Sequence, residues 1–164
     1  MTLEQVSLVA QIASAIAVIA SLIFVGFQLR QATAAIRASS SVAHAALYTE
    51  LVHSIIDSAD FAQIWRKGLP DPSSLTEDEW VRFVAYASAL FRQYESSRVH
   101  WQNGRLDDEH WHTIEKQAIS FGHLPGLKAA WALRGHWYSQ DFRTWFESLE
   151  PVDAASGVYE RAST

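Results

Sequence analysis

Two Glu-x-x-His motifs, Glu50…His53 and Glu109…His112, are the residues whose types and spacing come closest to a metal site. On a helix, residues three apart are neighbours. Di-iron carboxylate sites use two such motifs plus a Glu from each of two further helices, all facing into a four-helix bundle. Glu79 and Glu95 are available for the extra positions. Helical phase argues against the site. Glu50, His53 and Asp57 fall opposite the apolar face of their segment, and Glu109 falls in a first helical turn, where an acid complements the dipole. A di-iron enzyme therefore stays as an alternative only. His110 and His112 lie on different faces around Trp111, so they cannot share a metal without other ligands, and surface histidines beside a buried Trp are expected.

Arg98 is the second candidate. It falls at the centre of an apolar helical stripe, in line with Trp80 and Phe91. A buried guanidinium needs a partner. Glu95 lies three residues back, and Asp107 or Asp108 could approach after the next turn. An ion pair is the expected role, and an anchor for an anionic ligand is the alternative. The chain has no nucleophile elbow, phosphate-binding glycine loop, kinase signature or zincin motif. It has no Cys, which excludes disulfides, thiolate metal sites and Cys nucleophiles. No catalytic residue, metal or cofactor is assigned on this reading.

The elements that must position these residues begin with an uncharged run. No charge lies between Glu4 and Arg30, and the richest stretch, Val6 to Phe27, has Ser7, Gln11, Ser14 and Ser21 as its only polar residues. As a helix this run exceeds the roughly 30 Å hydrocarbon core of a bilayer, so a tilted transmembrane span over about residues 5–29 is expected. A signal peptide fits less well because no Lys or Arg precedes the run, and a buried soluble helix would be shorter and keep a polar stripe. Arg30 and Arg37 follow the run directly. By the positive-inside rule they place the C-terminal domain in the cytoplasm and the N-terminus outside, in the inner membrane if the host is a bacterium. Ala13, Ala17 and Ser21 recur every four residues, with Ala10 and Ser14 alongside, a small-residue face that lets a second helix approach. The span has no His, which argues against haem or chlorophyll ligation at the bilayer midplane by this chain.

Beyond the span, residues 31–59 contain neither Pro nor Gly and read as the same helix continuing to about Ser58, with Leu47, Tyr48, Leu51, Val52 and Ile55 on one face. His44 falls on that apolar side and is expected to be a hydrogen-bonded core or interface histidine. A short helix ends at Gly68, and a Pro-rich turn follows. Thr76 and Glu79 form a capping box that opens a long helix to about Gln102, closed by Asn103-Gly104. Asp107 caps a helix to about Ser120, another runs from Gly126 to Arg134, and Ser139 caps a last one. No segment reads as a strand. The expectation is an all-α chain: a transmembrane helix (1–30), a helical domain (31–150) and a polar tail (151–164). Seven Trp, eight Phe and five Tyr give the domain enough apolar surface to fold without metal or disulfide. All 13 basic residues lie at or after Arg30 with 17 of the 18 acids, a mildly acidic balance without a basic run, which argues against nucleic acid as partner.

Three segments carry a resemblance: SLIFVGFQLRQATAAIRAS (21–39), NGRLDDEHW (103–111) and PGLKAAW (125–131) followed by Phe142. They resemble a widespread group of short bacterial single-span membrane proteins with no assigned function. The resemblance implies a bacterial, membrane-anchored helical protein and carries over no catalytic residue. The expected role is a non-catalytic accessory or scaffold protein, packing laterally in the bilayer against itself or against a larger membrane complex, possible hosts including an energy-transducing one. A membrane-tethered ligand-binding or sensory domain is the alternative.

Overall fold

The structure is a computed structural model that describes residues 2–150; within them, the side chains of residues 9, 10, 37, 38, 40, 41, 43 and 44 lie outside the description. The expectations for the side chains of Ala10, Arg37 and His44, and for the 151–164 tail, therefore fall outside the described set. Every described element is helical, with no strand among the described residues. The chain divides into two compact units, Met1–Ser39 and Ser40–Thr164.

The first unit is the N-terminal part of α1, a helix that as a whole covers Leu3–Ile56. Its stretch Leu3–Ile36 is long and apolar enough to cross a membrane. At 1.5 Å per residue, 34 residues reach about 51 Å, more than the roughly 30 Å of hydrocarbon to be crossed. Every side chain described in this stretch is exposed, including Ile12, Ile16, Ile19, Leu22 and Phe24. Such a surface is costly in water and favourable in lipid. The hydroxyl of Ser21 donates to the Ala17 carbonyl at 2.8 Å, so this polar group is satisfied inside its own helix.

The second unit holds the end of α1 and five more helices. These are α2 (Ala59–Gly68), α3 (Glu77–Gln102), α4 (Asp108–Gly122), α5 (Pro125–Arg134) and α6 (Gln140–Glu147). Each start has a local cause. Ser58, Thr76, Asp107 and Ser139 accept a backbone N–H of the first turn of α2, α3, α4 and α6 respectively, and Pro125 occupies the first turn of α5. The capping box forms as expected, and Glu79 also receives Lys67 of α2 at 3.2 Å. Gly104 ends α3 with φ 66°, a left-handed conformation that a side chain would strain. Two short 3₁₀ turns, Pro72–Ser74 and Gly135–Trp137, were not expected, because three residues carry no periodicity.

α3 is the centre of the bundle and packs against α2, α4 and α5. Its residues Phe83, Ala87 and Phe91 have no exposed surface, and Tyr94 has 1%. Trp111, Leu127 and Phe142 complete the buried interior from α4, α5 and α6. Each such large side chain contributes about 1.5–3 kcal/mol through burial. The rings form a continuous cluster: Phe91 meets Trp131 and Phe146 edge-on at 5.2 and 5.3 Å, and Trp101 stacks on Trp111 at 5.1 Å. The apolar face expected on the end of α1 splits. Leu51 and Ile55 pack against this core, whereas Leu47 and Tyr48 remain exposed. The tie there is polar as well, since the Tyr86 hydroxyl donates to the Leu51 carbonyl at 3.1 Å.

Candidate functional site

The residues nominated for metal binding are not brought together. His53 pairs with Asp57, just past the end of α1, at 3.4 Å, and His112 pairs with Glu115 within α4 at 3.3 Å. Glu79 is occupied by the α3 cap and Lys67. Glu95 serves Arg92 and the backbone of Ser139. Among the described residues no three His, Asp or Glu side chains converge on a point that could hold a metal. The physical reason is the one that helical phase suggested: Glu50 and His53 face outward, and Glu109 is exposed in the first turn of α4. His110 and His112 are surface residues around a Trp111 that is 1% exposed.

Arg98 and Glu95 do not pair with each other. Arg98, its side chain 15% exposed, donates from Nε to Asp141 at 2.9 Å and lies over the Trp145 ring at 5.2 Å. Asp141 also accepts from Gln102 at 3.1 Å. These bonds hold the Asp141 carboxyl below its ordinary range, with the Arg98 hydrogen bond as the largest cause. Glu95 lies one helical turn away, yet its carboxylate is taken by Arg92 and by the Ser139 N–H at 2.8 Å. Arg92 in turn lies over the Tyr138 ring at 4.6 Å. Both acids therefore fasten the start of α6 to α3. With Asp141 and Trp145 around it, the Arg98 guanidinium has the partner that burial demands, and an anion there would have to compete with a carboxylate already in place.

Asp107 and His110 form a local pair at 2.8 Å, and the Asp107 carboxyl is lowered, first by the backbone N–H of His110 and then by its ring. Trp101 adds a bond from its indole N–H to Asp108 at 2.8 Å, which joins the end of α3 to the start of α4.

In the first unit, the described small residues Ala13, Ser14, Ala17 and Ser21 are exposed along α1, as is Arg30. Four-residue spacing advances a helix by only about 40° per step, so Ala13, Ala17 and Ser21 share one face. One residue escaped the sequence reading altogether. Gln93 of α3 is 6% exposed and its Oε1 is buried with no hydrogen-bond partner among the described residues. The available signal was its register: Leu90, Gln93 and Ser97 follow at three and four residues, and all three are buried.

Compared with known proteins, the chain matches no family model, no curated protein and no solved structure.

Proposed function

We propose that this chain is a non-catalytic, single-span membrane protein of the bacterial inner membrane. In this reading its helical domain is a cytoplasmic contact surface and its span packs laterally, against a second copy or a larger membrane complex. Membership of the group of short bacterial single-span proteins is part of the same reading. The observation that carries it is the exposed apolar stretch Leu3–Ile36, which holds Ala13, Ala17 and Ser21 on one face. Small residues let two backbones approach closely enough for extensive van der Waals contact, the main attraction available between helices in lipid. Supporting it, Glu79, Glu95 and Arg98 are engaged in contacts that tie α2 and the start of α6 to α3. The orientation rests on Arg30 and Arg37.

The test is purification of the tagged full chain from its own membranes in mild detergent, followed by mass spectrometry of whatever accompanies it. A stoichiometric membrane partner, or a defined homo-oligomer, is expected. A protein released from membranes by alkaline wash, or recovered only as a lone monomer, would overturn the reading.

A further inference from the structure

Gln93 lines a cleft of about 420 Å³ in the second unit. Tyr48 and Ala45 on the end of α1 form one side, and Leu106 and Ile114 give it an apolar floor. Glu109 and His110, from the first turn of α4, stand at its edge. A volume of this size suits a small organic molecule. Three features narrow the chemistry. The lining contains no Lys or Arg, and its one His, His110, is already paired with the Asp107 carboxylate at 2.8 Å, so little countercharge is offered to a carboxylate or phosphate. The one acidic lining residue is Glu109, which favours a neutral or cationic guest. The Gln93 oxygen is a buried acceptor without a donor, a state that costs free energy until a donor arrives. The last torsion of a Gln side chain is soft, so the carboxamide can turn this oxygen toward a bound head group.

We propose that this cleft binds a small amphiphile, its apolar body against Leu106 and Ile114 and its neutral or cationic head donating an N–H or O–H to Gln93. The site is separate from the Arg98 pair, and its neutral or cationic ligand differs from the anion that Arg98 alone would suggest. It is also independent of lateral packing by the span.

The test uses the full chain in lipid nanodiscs, with empty nanodiscs subtracted. Three indoles share one ring and differ in the head: tryptamine (cationic donor), indole-3-ethanol (neutral donor) and indole-3-acetate (anion). Saturable binding of tryptamine and indole-3-ethanol is expected by ligand-observed NMR, with the acetate weaker by about tenfold or more. Gln93→Leu is expected to weaken tryptamine about tenfold, the effect of one lost hydrogen bond to a buried group. The same change should leave the thermal midpoint equal or higher, because it removes an unpartnered polar atom. Ala45→Trp, on an exposed helical position at the side of the cleft, is expected to abolish binding by filling it. No saturable tryptamine binding, equal binding of the acetate, or tryptamine affinity unchanged in Gln93→Leu would each overturn the proposal.

Discussion

The Glu95 carboxylate, in the last third of α3, accepts the backbone N–H of Ser139 at 2.8 Å. Ser139 is the N-cap of α6, and its own hydroxyl accepts from Phe142 at 3.4 Å. One buried side chain therefore fixes where the last helix begins. Glu95→Leu is expected to lower the stability of the domain by about 2–3 kcal/mol, because it leaves a helix-start N–H without its acceptor. Glu95→Gln keeps an acceptor at the same reach and should cost less than half as much. Denaturant unfolding followed by Trp fluorescence measures both. Equal losses would mean that the charge shared with Arg92, rather than the bond to Ser139, is what matters.

Gly126 sits where two elements nearly touch. Its N–H donates to the Leu69 carbonyl at 2.9 Å, and a Cβ at this position would lie 2.1 Å from the Gly68 carbonyl oxygen. Backbone cannot retreat as a flexible side chain can, so Gly126→Ala must push α5 away from the end of α2. The expected cost is about 2–3 kcal/mol, at the upper end for overpacking. Gly26→Ala is the control: nothing lies within 4 Å of the added methyl, and the melting temperature should not move. If both substitutions behaved alike, the close approach at Gly126 would not exist in solution.

These two positions mark the limit of what the chain announced in advance. The capping box at Thr76 and Glu79, the caps at Asp107 and Ser139 and the stop at Gly104 are local, involving residues three or four apart, and all were legible. So was the apolar stripe of α3, since 3.6-residue periodicity records burial directly. Partners distant in sequence were not. Arg98 was expected to find Glu95 on its own helix, or Asp107 or Asp108 after the next turn, and instead takes Asp141, 43 residues away. Local spacing ranks nearby acids first, whereas packing of α6 brings Asp141 to the guanidinium. The same blindness hid Gln93, because nothing in the sequence says which polar residue on a buried stripe will lack a partner.

The Arg98–Asp141 bond should also be visible in the pH dependence of stability. Its carboxyl is depressed in the folded state relative to the unfolded chain, through the Arg98 and Gln102 hydrogen bonds. A group with a depressed folded pKa contributes stability that is fully present above its unfolded value. That contribution is lost as pH falls through the folded value. Stability is thus expected to be insensitive to this group at neutral pH and to fall as the solution is taken below about pH 4, the ordinary Asp range. Asp141→Asn should remove part of that acid-side slope while lowering the plateau at pH 7. Melting temperatures of the two proteins from pH 7 to pH 3 measure it. Parallel curves would show that the pair contributes nothing that depends on charge.

Lateral packing through the apolar stretch Leu3–Ile36, as proposed above, predicts a difference between size and polarity on the small-residue face. The Ser21 hydroxyl is already bonded to the Ala17 carbonyl at 2.8 Å. It gains little by crossing to another helix, so its value at a contact would lie in its small volume. Ser21→Ala keeps that volume and should leave association in the bilayer unchanged. Ala17→Leu adds three carbons on the same face and should hold the helices apart, weakening association by about tenfold, or roughly 1.4 kcal/mol. Energy transfer between labelled full-length chains in liposomes, titrated against lipid, reads both. If Ser21→Ala weakened association as much as Ala17→Leu, an interhelical hydrogen bond would be the driving contact. If neither did, the face would be lipid-exposed and the contacts of this protein would lie in its helical domain.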